Sequence, residues 1–338
     1  MFQYFSLMRE GKAALGTISA KNPMNIIFKS IRLGRRIAAK IGMPQLNRGR
    51  TYAGAEYSGE AASELIKNTL LQKEPCMIAR FGAADVFAAV NYIDRNNYKK
   101  VSDILKYVLG KKVFLYWSSQ GAGYFPEDIG KVEDYMRLLF NDMRFVDILG
   151  SWWREEMFLQ KELSQAVKVR LPDLEPYYHT NPWSIVLKNK RVLVIHPFEE
   201  SIKSQYAKRK LLFKDNNILP DFKLLTIKAD YSLAETKTIC TDWINVYEPI
   251  KEKIDQTDFD IAIIGCGSCG FNLAAHIKRI GKKAVVLGGA TQILFGIKGK
   301  RWADHPVISK LFNEHWVYPQ PSEVPINYKQ ADQGCFWQ

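Results

Sequence analysis

Residues 260–289 read DIAIIGCGSCGFNLAAHIKRIGKKAVVLGG. Gly265, Gly267 and Gly270 satisfy G-x-G-x-x-G between an apolar run and a helical pattern. Such glycines permit a tight turn and a close backbone approach, and the helix N-terminus opening near Ser268 is suited to a phosphate. A nicotinamide dinucleotide site also needs an acid about 20 residues on, at the end of the next strand. That strand ends Val286, Leu287, Gly288, Gly289, without one. S-adenosylmethionine binding meets the same lack, so both remain minor alternatives. Cys266 and Cys269 have the spacing of a redox pair, and Cys266-Gly267-Ser268-Cys269 resembles the start of a papain-type signature. Gly270 replaces the aromatic residue that signature needs, and His276, His305 and His315 lie too near. Small, close-packing side chains explain these cysteines better.

Three further loops carry chemistry. After the apolar run 192–195 come His196, Pro197, Phe198, Glu199, Glu200 and Ser201. An imidazole and a carboxylate at a strand end suit general-base work, with His196 or Glu199 as the base. The alternative is that the two acids complement the dipole of a helix capped by Ser201. After residues 76–80 come Arg80, Phe81, Gly82, Ala83, Ala84 and Asp85. Arg80 can hold a phosphate through both arms of its guanidinium. Asp85 can meet a divalent ion or a sugar hydroxyl, or close an internal ion pair with Arg80. The fourth loop, from Gly288 and Gly289 to Lys298, Lys300, Arg301 and Trp302, sets glycines beside three cations. It reads either as a cover for a nucleotide diphosphate or as a solvated basic loop.

The elements that must position these loops alternate. Helical periodicity covers 60–72, 84–93, 131–143, 201–213, 235–254 and 271–280. Strand-like runs cover 76–80, 112–117, 191–195, 222–227, 260–264 and 284–287. This alternation predicts an α/β, Rossmann-like fold with a mostly parallel sheet flanked by helices, and its ligands sit beyond the carboxyl ends of strands. The expected organisation is a basic helical arm and linker over 1–57, a catalytic domain over 58–318, and a tail over 319–338 packing on that domain.

The 338 residues carry a formal charge of +13. Residues 1–50 contribute +9 of it, and the remainder is nearly balanced. Over 25–42, Ile27, Ile31, Ala38 and Ile41 share one helical side while Lys29, Arg32, Arg35, Arg36 and Lys40 share the other. A basic amphipathic helix of this kind suits an anionic membrane surface, where each cation contributes about 1 kcal/mol. It can also pack its isoleucines on the body. The body shows no basic stripe interleaved with aromatics, so no nucleic-acid partner is expected. Hydrophobic residues make up 47% and charged residues 25%, which excludes a disordered or fibrous chain. No apolar run approaches the ~18 residues of a membrane span. The start lacks the pattern of a secretory signal. Five cysteines without framework spacing read as reduced thiols, pointing to a cytoplasmic protein, which the basic segment 25–42 could hold at a membrane surface.

Taken in order, these residues resemble a bacterial family, the GT-D structural class of glycosyltransferases from surface-polysaccharide clusters. The resemblance runs from about residue 60 to the C-terminus. It rests on Arg80-Phe81-Gly82, Gly123-Tyr124-Phe125-Pro126, Trp152 or Trp153, and His196-Pro197-Phe198. The glycine turn, the stretch from Gly289 to Trp302 and Gly334-Cys335-Phe336-Trp337 complete it. It implies a nucleotide-sugar donor, a lipid-linked glycan acceptor, and a role in capsule or O-antigen assembly. Donor contacts would come from Arg80, Phe81, Gly82, Gly265, Gly267, Ser268, Gly270, Gly289, Lys298 and Arg301. Catalytic roles would fall to Asp85, His196 and Glu199. The family often places Asp-x-Glu after the Arg-Phe-Gly turn, tied to Mg2+ or Mn2+. Here Ala83, Ala84 and Asp85 stand there, leaving Asp85 as the sole candidate metal ligand. A non-catalytic membrane-surface scaffold is the alternative from another class.

Overall fold

Short apolar strands separated by amphipathic helices fold here into one seven-stranded parallel sheet, seen in a computed structural model. The structure describes residues 54–96, 123–229, 242–326, 328–330 and 334–337. The basic segment 25–42 and the strand expected at 112–117 lie outside these residues. All described residues belong to one unit, Thr51–Gln338.

In chain order the strands are β1 (Met77–Ala79), β2 (Ile148–Ser151), β3 (Val167–Arg170), β4 (Arg191–His196), β5 (Lys223–Lys228), β6 (Ile261–Ile264) and β7 (Lys283–Val286). The helices are α1 (Glu60–Leu71), α2 (Ala83–Asn96), α3 (Ile129–Met143), α4 (Glu199–Ala207), α5 (Ile244–Asp255), α6 (Gly270–Arg279), and the short α7 (Ala290–Leu294) and α8 (Lys300–Ala303). Across the sheet the strands run β3-β2-β1-β7-β6-β4-β5.

Both faces are buried, which is why β4 and β6 read as unbroken apolar runs rather than alternating ones. The period of two still sorts their side chains. Ile78, Val192, Val194, Ile261 and Ile263 pack with α1, α4, α7 and the C-terminal tail. Met77, Ala79, Leu193, Ile195, Ala262 and Ile264 pack with α2, α3, α5 and α6. Helix α6 is buried continuously from Gly270 to Ile277 because it sits among other helices as well as on the sheet. Its small residues Gly270, Ala274 and Ala275 let it approach Ala262 and Ala284 closely.

Two strands escape the sequence pattern. β2 is Ile-Leu-Gly-Ser, and β3 alternates as Val-Lys-Val-Arg. Each is only four residues long, and the charges of β3 resemble those of a solvated loop. Part of the expected linker also joins the sheet. Glu56 N–H donates to Lys168 O at 2.8 Å and Tyr57 forms a parallel bridge with Val169, so both lie along the outer edge of β3.

The C-terminal tail packs on the first face. Trp337 is 1% exposed, and its indole N–H donates to Glu323 O at 3.0 Å. The Glu323 carboxylate accepts from Glu200 N–H at 2.7 Å and Ser201 N–H at 3.2 Å, satisfying donors at the start of α4. The helix begins at Glu199, so Ser201 is not its N-cap; its hydroxyl donates to Glu323 instead. Truncating Trp337 removes this anchor. Trp337→Ala is expected to lower unfolding free energy by about 3–5 kcal/mol. Chemical denaturation measures it, and a loss below about 1 kcal/mol would show that the tail is dispensable.

Candidate functional site at the carboxyl ends of the strands

The chain runs outward from β4 to β5 but turns the other way from β6 to β7, so the strand order reverses between β4 and β6. Open α/β sheets hold their ligands at such a point. His196 ends β4 and Gly265 follows β6. A Cβ on Gly265 would stand 2.6 Å from Gly288 O and 2.7 Å from His196 Cδ2. A Cβ on Gly288 would stand 3.2 Å from Arg80 Nη1. The loops after β1, β7, β6 and β4 thus touch one another in sheet order, and Arg80, Gly288, Gly265 and His196 form one continuous rim.

The three glycines of the turn play separate parts. Gly265 is required by the crowding just described. Gly267 has φ +65° with open space where a Cβ would point, so a ligand can approach its backbone. Gly270 sits where a Cβ would be 3.3 Å from Ile264 Cγ2, allowing α6 to press on β6. Ser268 is bound on its outer side. Its hydroxyl accepts the Trp243 indole N–H at 3.0 Å, and its carbonyl accepts Tyr135 OH at 3.4 Å. Burial pushes the Cys266 thiol up to about 12 and raises Cys269 as well, so neither offers a thiolate.

Arg80 folds back on its own turn. Nε and Nη2 donate to Phe81 O at 3.0 and 2.8 Å, leaving Nη1 toward Gly288. Trp152 donates its indole N–H to the same carbonyl at 3.0 Å and lies 5.1 Å from the guanidinium carbon. The Phe81 ring is 1% exposed and stacks on Phe271, so its side chain is core; only its carbonyl serves the site. Asp85 accepts Gly82 N–H at 2.8 Å on Oδ2 and Tyr124 OH at 3.0 Å on Oδ1. Burial raises its carboxyl to about 6, against the opposing pull of the Gly82 N–H and of Arg80. Tyr124 packs on Tyr135 and Trp243, linking Asp85 to Ser268 through aromatic rings.

The loop after β7 brings the second cation. A Cβ on Gly289 would stand 2.9 Å from Phe336 Cε1 and 3.6 Å from Arg301 Nη1. Arg301 lies 4.5 Å over the Phe336 ring and donates its backbone N–H to Cys335 O at 2.9 Å. Two guanidiniums are therefore stationed on two consecutive glycines. Burial lowers the pKa of Arg80, and the Arg301 charge lowers it further, while Glu175 and Asp85 oppose both. Lys298 does not join them. Its ammonium lies 5.8 Å from the Phe312 ring and 5.9 Å from the Tyr318 ring.

Two expected base residues are not placed for that work. His196 is 2% exposed, and its Nδ1 accepts Phe198 N–H at 3.0 Å. The neutral ring then carries its proton on Nε2 and can donate but not accept there. Burial pulls its pKa down to about 3. Glu199 turns to the sheet edge, where Oε1 accepts Thr226 OH at 2.5 Å and Lys203 Nζ at 3.1 Å. Burial would raise its pKa, but those bonds outweigh it and the net shift is downward. A shallow groove of about 400 Å³ opens there, lined by Glu199, Thr226, Lys228, Lys253 and Gln256. It flanks the edge strand rather than the rim of arginines and glycines, so its volume marks no part of that rim.

Glu175 was invisible in sequence. It sits between two 3-10 turns after β3, half-buried, with Tyr177 OH donating to Oε2. Its strand, Val-Lys-Val-Arg, carries too little apolar signal for a strand-end rule to point to it. Glu156 is fully buried and serves structure, accepting Ser151 OH at 2.5 Å and the N–H groups of Trp152 and Trp153 at 3.2 and 3.1 Å.

These residues do not form a closed metal site by themselves. Both Asp85 oxygens already accept hydrogen bonds, and the described residues contain no cluster of three His, Cys, Asp or Glu side chains able to hold an ion. No helix among the described residues is long and apolar enough to cross a membrane. No protein-family profile, curated protein or solved structure matches the chain.

Tyr124→Phe removes one donor from the Asp85 carboxylate and disfavours its ionised form. The Asp85 pKa is expected to rise further above about 6, followed by carboxyl-carbon NMR. An unchanged or lower value would contradict the hydrogen bond.

Proposed function

We propose that the chain is a nucleotide-sugar-dependent glycosyltransferase whose donor diphosphate lies between Arg80 and Arg301. The observation that carries this reading is the placement of both guanidiniums on the consecutive residues Gly288 and Gly289. Bringing like charges together and partly burying them is unfavourable; Glu175 and Asp85 offset part of that cost at Arg80, and a bound diphosphate would offset more. Arginine matches phosphate geometry through two parallel donors, and glycine lets the backbone approach the same oxygens. A diphosphate leaving group gains negative charge as the sugar departs, and preformed cations stabilise that charge most.

The rest of the rim supports the same reading. Gly267 leaves open backbone beside it, and Trp152 presents a half-buried aromatic face next to Arg80. The end of β7 offers glycines where nicotinamide enzymes use an acid. The resemblance to surface-polysaccharide transferases suggests a lipid-linked glycan as acceptor. The cationic segment 25–42 would then hold the enzyme at the inner face of the bacterial membrane.

A thermal-shift panel of UDP, GDP, CMP, NAD and S-adenosylmethionine tests the donor class, because a ligand that binds only the folded state raises its melting temperature. A nucleoside diphosphate is expected to give the largest shift. Arg80→Ala should weaken it roughly 10- to 100-fold, the range for one charged hydrogen-bonding partner. A response to NAD or S-adenosylmethionine alone would replace this reading, and no response at all would favour a scaffold. Deleting residues 1–50 is expected to reduce binding to anionic vesicles while sparing the nucleotide response. Undiminished vesicle binding would remove the membrane role.

A further inference from the structure

We propose that Glu175 is the catalytic base, its Oε1 taking the proton from the acceptor hydroxyl. The inference rests on the glycosyl-transfer reading and deepens it. It follows from comparing what each acidic or basic group at the strand ends has left to offer.

Four acid or base candidates lie at strand ends or in the segments that follow them. His196 spends its only lone pair on Phe198 N–H. Glu199 faces the β5 edge and is engaged by Thr226 and Lys203. Asp85 accepts one hydrogen bond on each oxygen, from Gly82 and Tyr124, and fixes the Arg80 turn. Glu175 differs from all three. Tyr177 OH occupies Oε2, and among the described residues no donor occupies Oε1. The residue as a whole is half-buried.

Its position is set by packing. β3 pairs with β2, and Gly150 of β2 is a glycine because the Leu174 side chain occupies the space of a Cβ. Leu174 O accepts the Trp183 indole N–H at 2.9 Å, which fixes the backbone just before Glu175. From the next turn of β2, Trp152 reaches over to stack on Arg80. Glu175 is the opposing charge that Arg80 feels most strongly. Tyr177 on its own turn and Arg80 from the β1 loop are the groups that act on Glu175, while Arg301, Asp85 and Glu156 act on Arg80 in turn.

The step balances. Glu175 Oε1 accepts the hydroxyl proton as the acceptor oxygen bonds to the sugar's anomeric carbon. The bond from that carbon to the diphosphate oxygen breaks, and its electron pair leaves with the diphosphate beside Arg80 and Arg301. The proton then passes from Glu175 to water. Burial raises the Glu175 carboxyl to about 7, with Tyr177 and Arg80 pulling the other way. A base of that pKa is ionised above neutrality and still accepts a proton readily. Below its pKa the carboxyl is protonated and cannot act, so kcat/KM should fall with decreasing pH through about 7.

The test measures nucleoside diphosphate release from UDP-glucose, UDP-N-acetylglucosamine and GDP-mannose, with a detergent extract of bacterial membranes as acceptor. Glu175→Gln is expected to lower turnover by roughly 100- to 10,000-fold and abolish the acidic limb of the pH profile. Its thermal shift with the cognate nucleoside diphosphate should persist. Tyr177→Phe removes the bond to Oε2 and should move the limb to higher pH. A merely structural glutamate would not produce that movement. Turnover of Glu175→Gln within about threefold of the unaltered enzyme, with the limb unchanged, overturns the role and leaves the transferase standing. If that variant does not fold, the Tyr177→Phe profile decides alone: a raised limb supports the base and an unmoved one overturns it. No thermal shift and no release from any donor with the unaltered enzyme overturns the transferase reading, and this role with it.

Discussion

Arg80 and Arg301 converge on two adjacent glycines, and the architecture around them follows from that meeting. Arg80 arrives from β1 and Arg301 from the segment after β7, strands that are hydrogen-bonded neighbours in the sheet although they are about 200 residues apart in sequence. Parallel pairing aims both strand ends the same way, so their loops emerge side by side. Glycine is needed at 288 because Arg80 lies over it at φ +60°, and at 289 because the Phe336 ring abuts it. The C-terminal tail is part of this device. Gln292 donates to Phe336 O at 3.2 Å and Trp337 fills the core behind. The cation-bearing loop is thereby braced by residues 334–337.

The surroundings explain why those charges remain usable. Phe81 O accepts two donors from Arg80 and one from Trp152, which fixes the guanidinium plane without neutralising it. Asp85 and Glu175 supply counter-charge, and burial raises both of their pKa values. Perturbed titration of this kind is common at functional sites because the same desolvation that makes a group costly makes it reactive. The energy is recovered elsewhere, in a sheet buried on both faces and in a central helix, α6, that buries nearly its whole length.

Much of the fold was legible because buried parallel strands have a strong signature. β1, β4, β6 and β7 stand out as apolar runs ended by glycine, histidine or arginine. β2 and β3 did not, since four residues containing glycine, lysine or arginine carry too little apolar signal. The same gap hid Glu175, whose significance depends on belonging to the loop after β3. Arg80 and Asp85 are legible from their place after a strand, the glycine turn from its spacing, and Gly289 and Arg301 from a loop that mixes glycines with cations; the structure brings them together. His196, Glu199 and Lys298 hold equally suggestive places after strands, but their use depends on details invisible in one dimension. A backbone N–H occupies one imidazole nitrogen, a threonine on the edge strand turns a carboxylate aside, and two aromatic rings draw an ammonium away.

The most direct test of the paired-arginine site uses inorganic pyrophosphate, which carries the phosphates without base or sugar. Calorimetric titration of the full chain should show one pyrophosphate bound per chain, weakened by added salt and lost in the Arg80→Ala/Arg301→Ala double variant. Equal binding by the double variant, or none by the unaltered protein at low salt, would contradict the account.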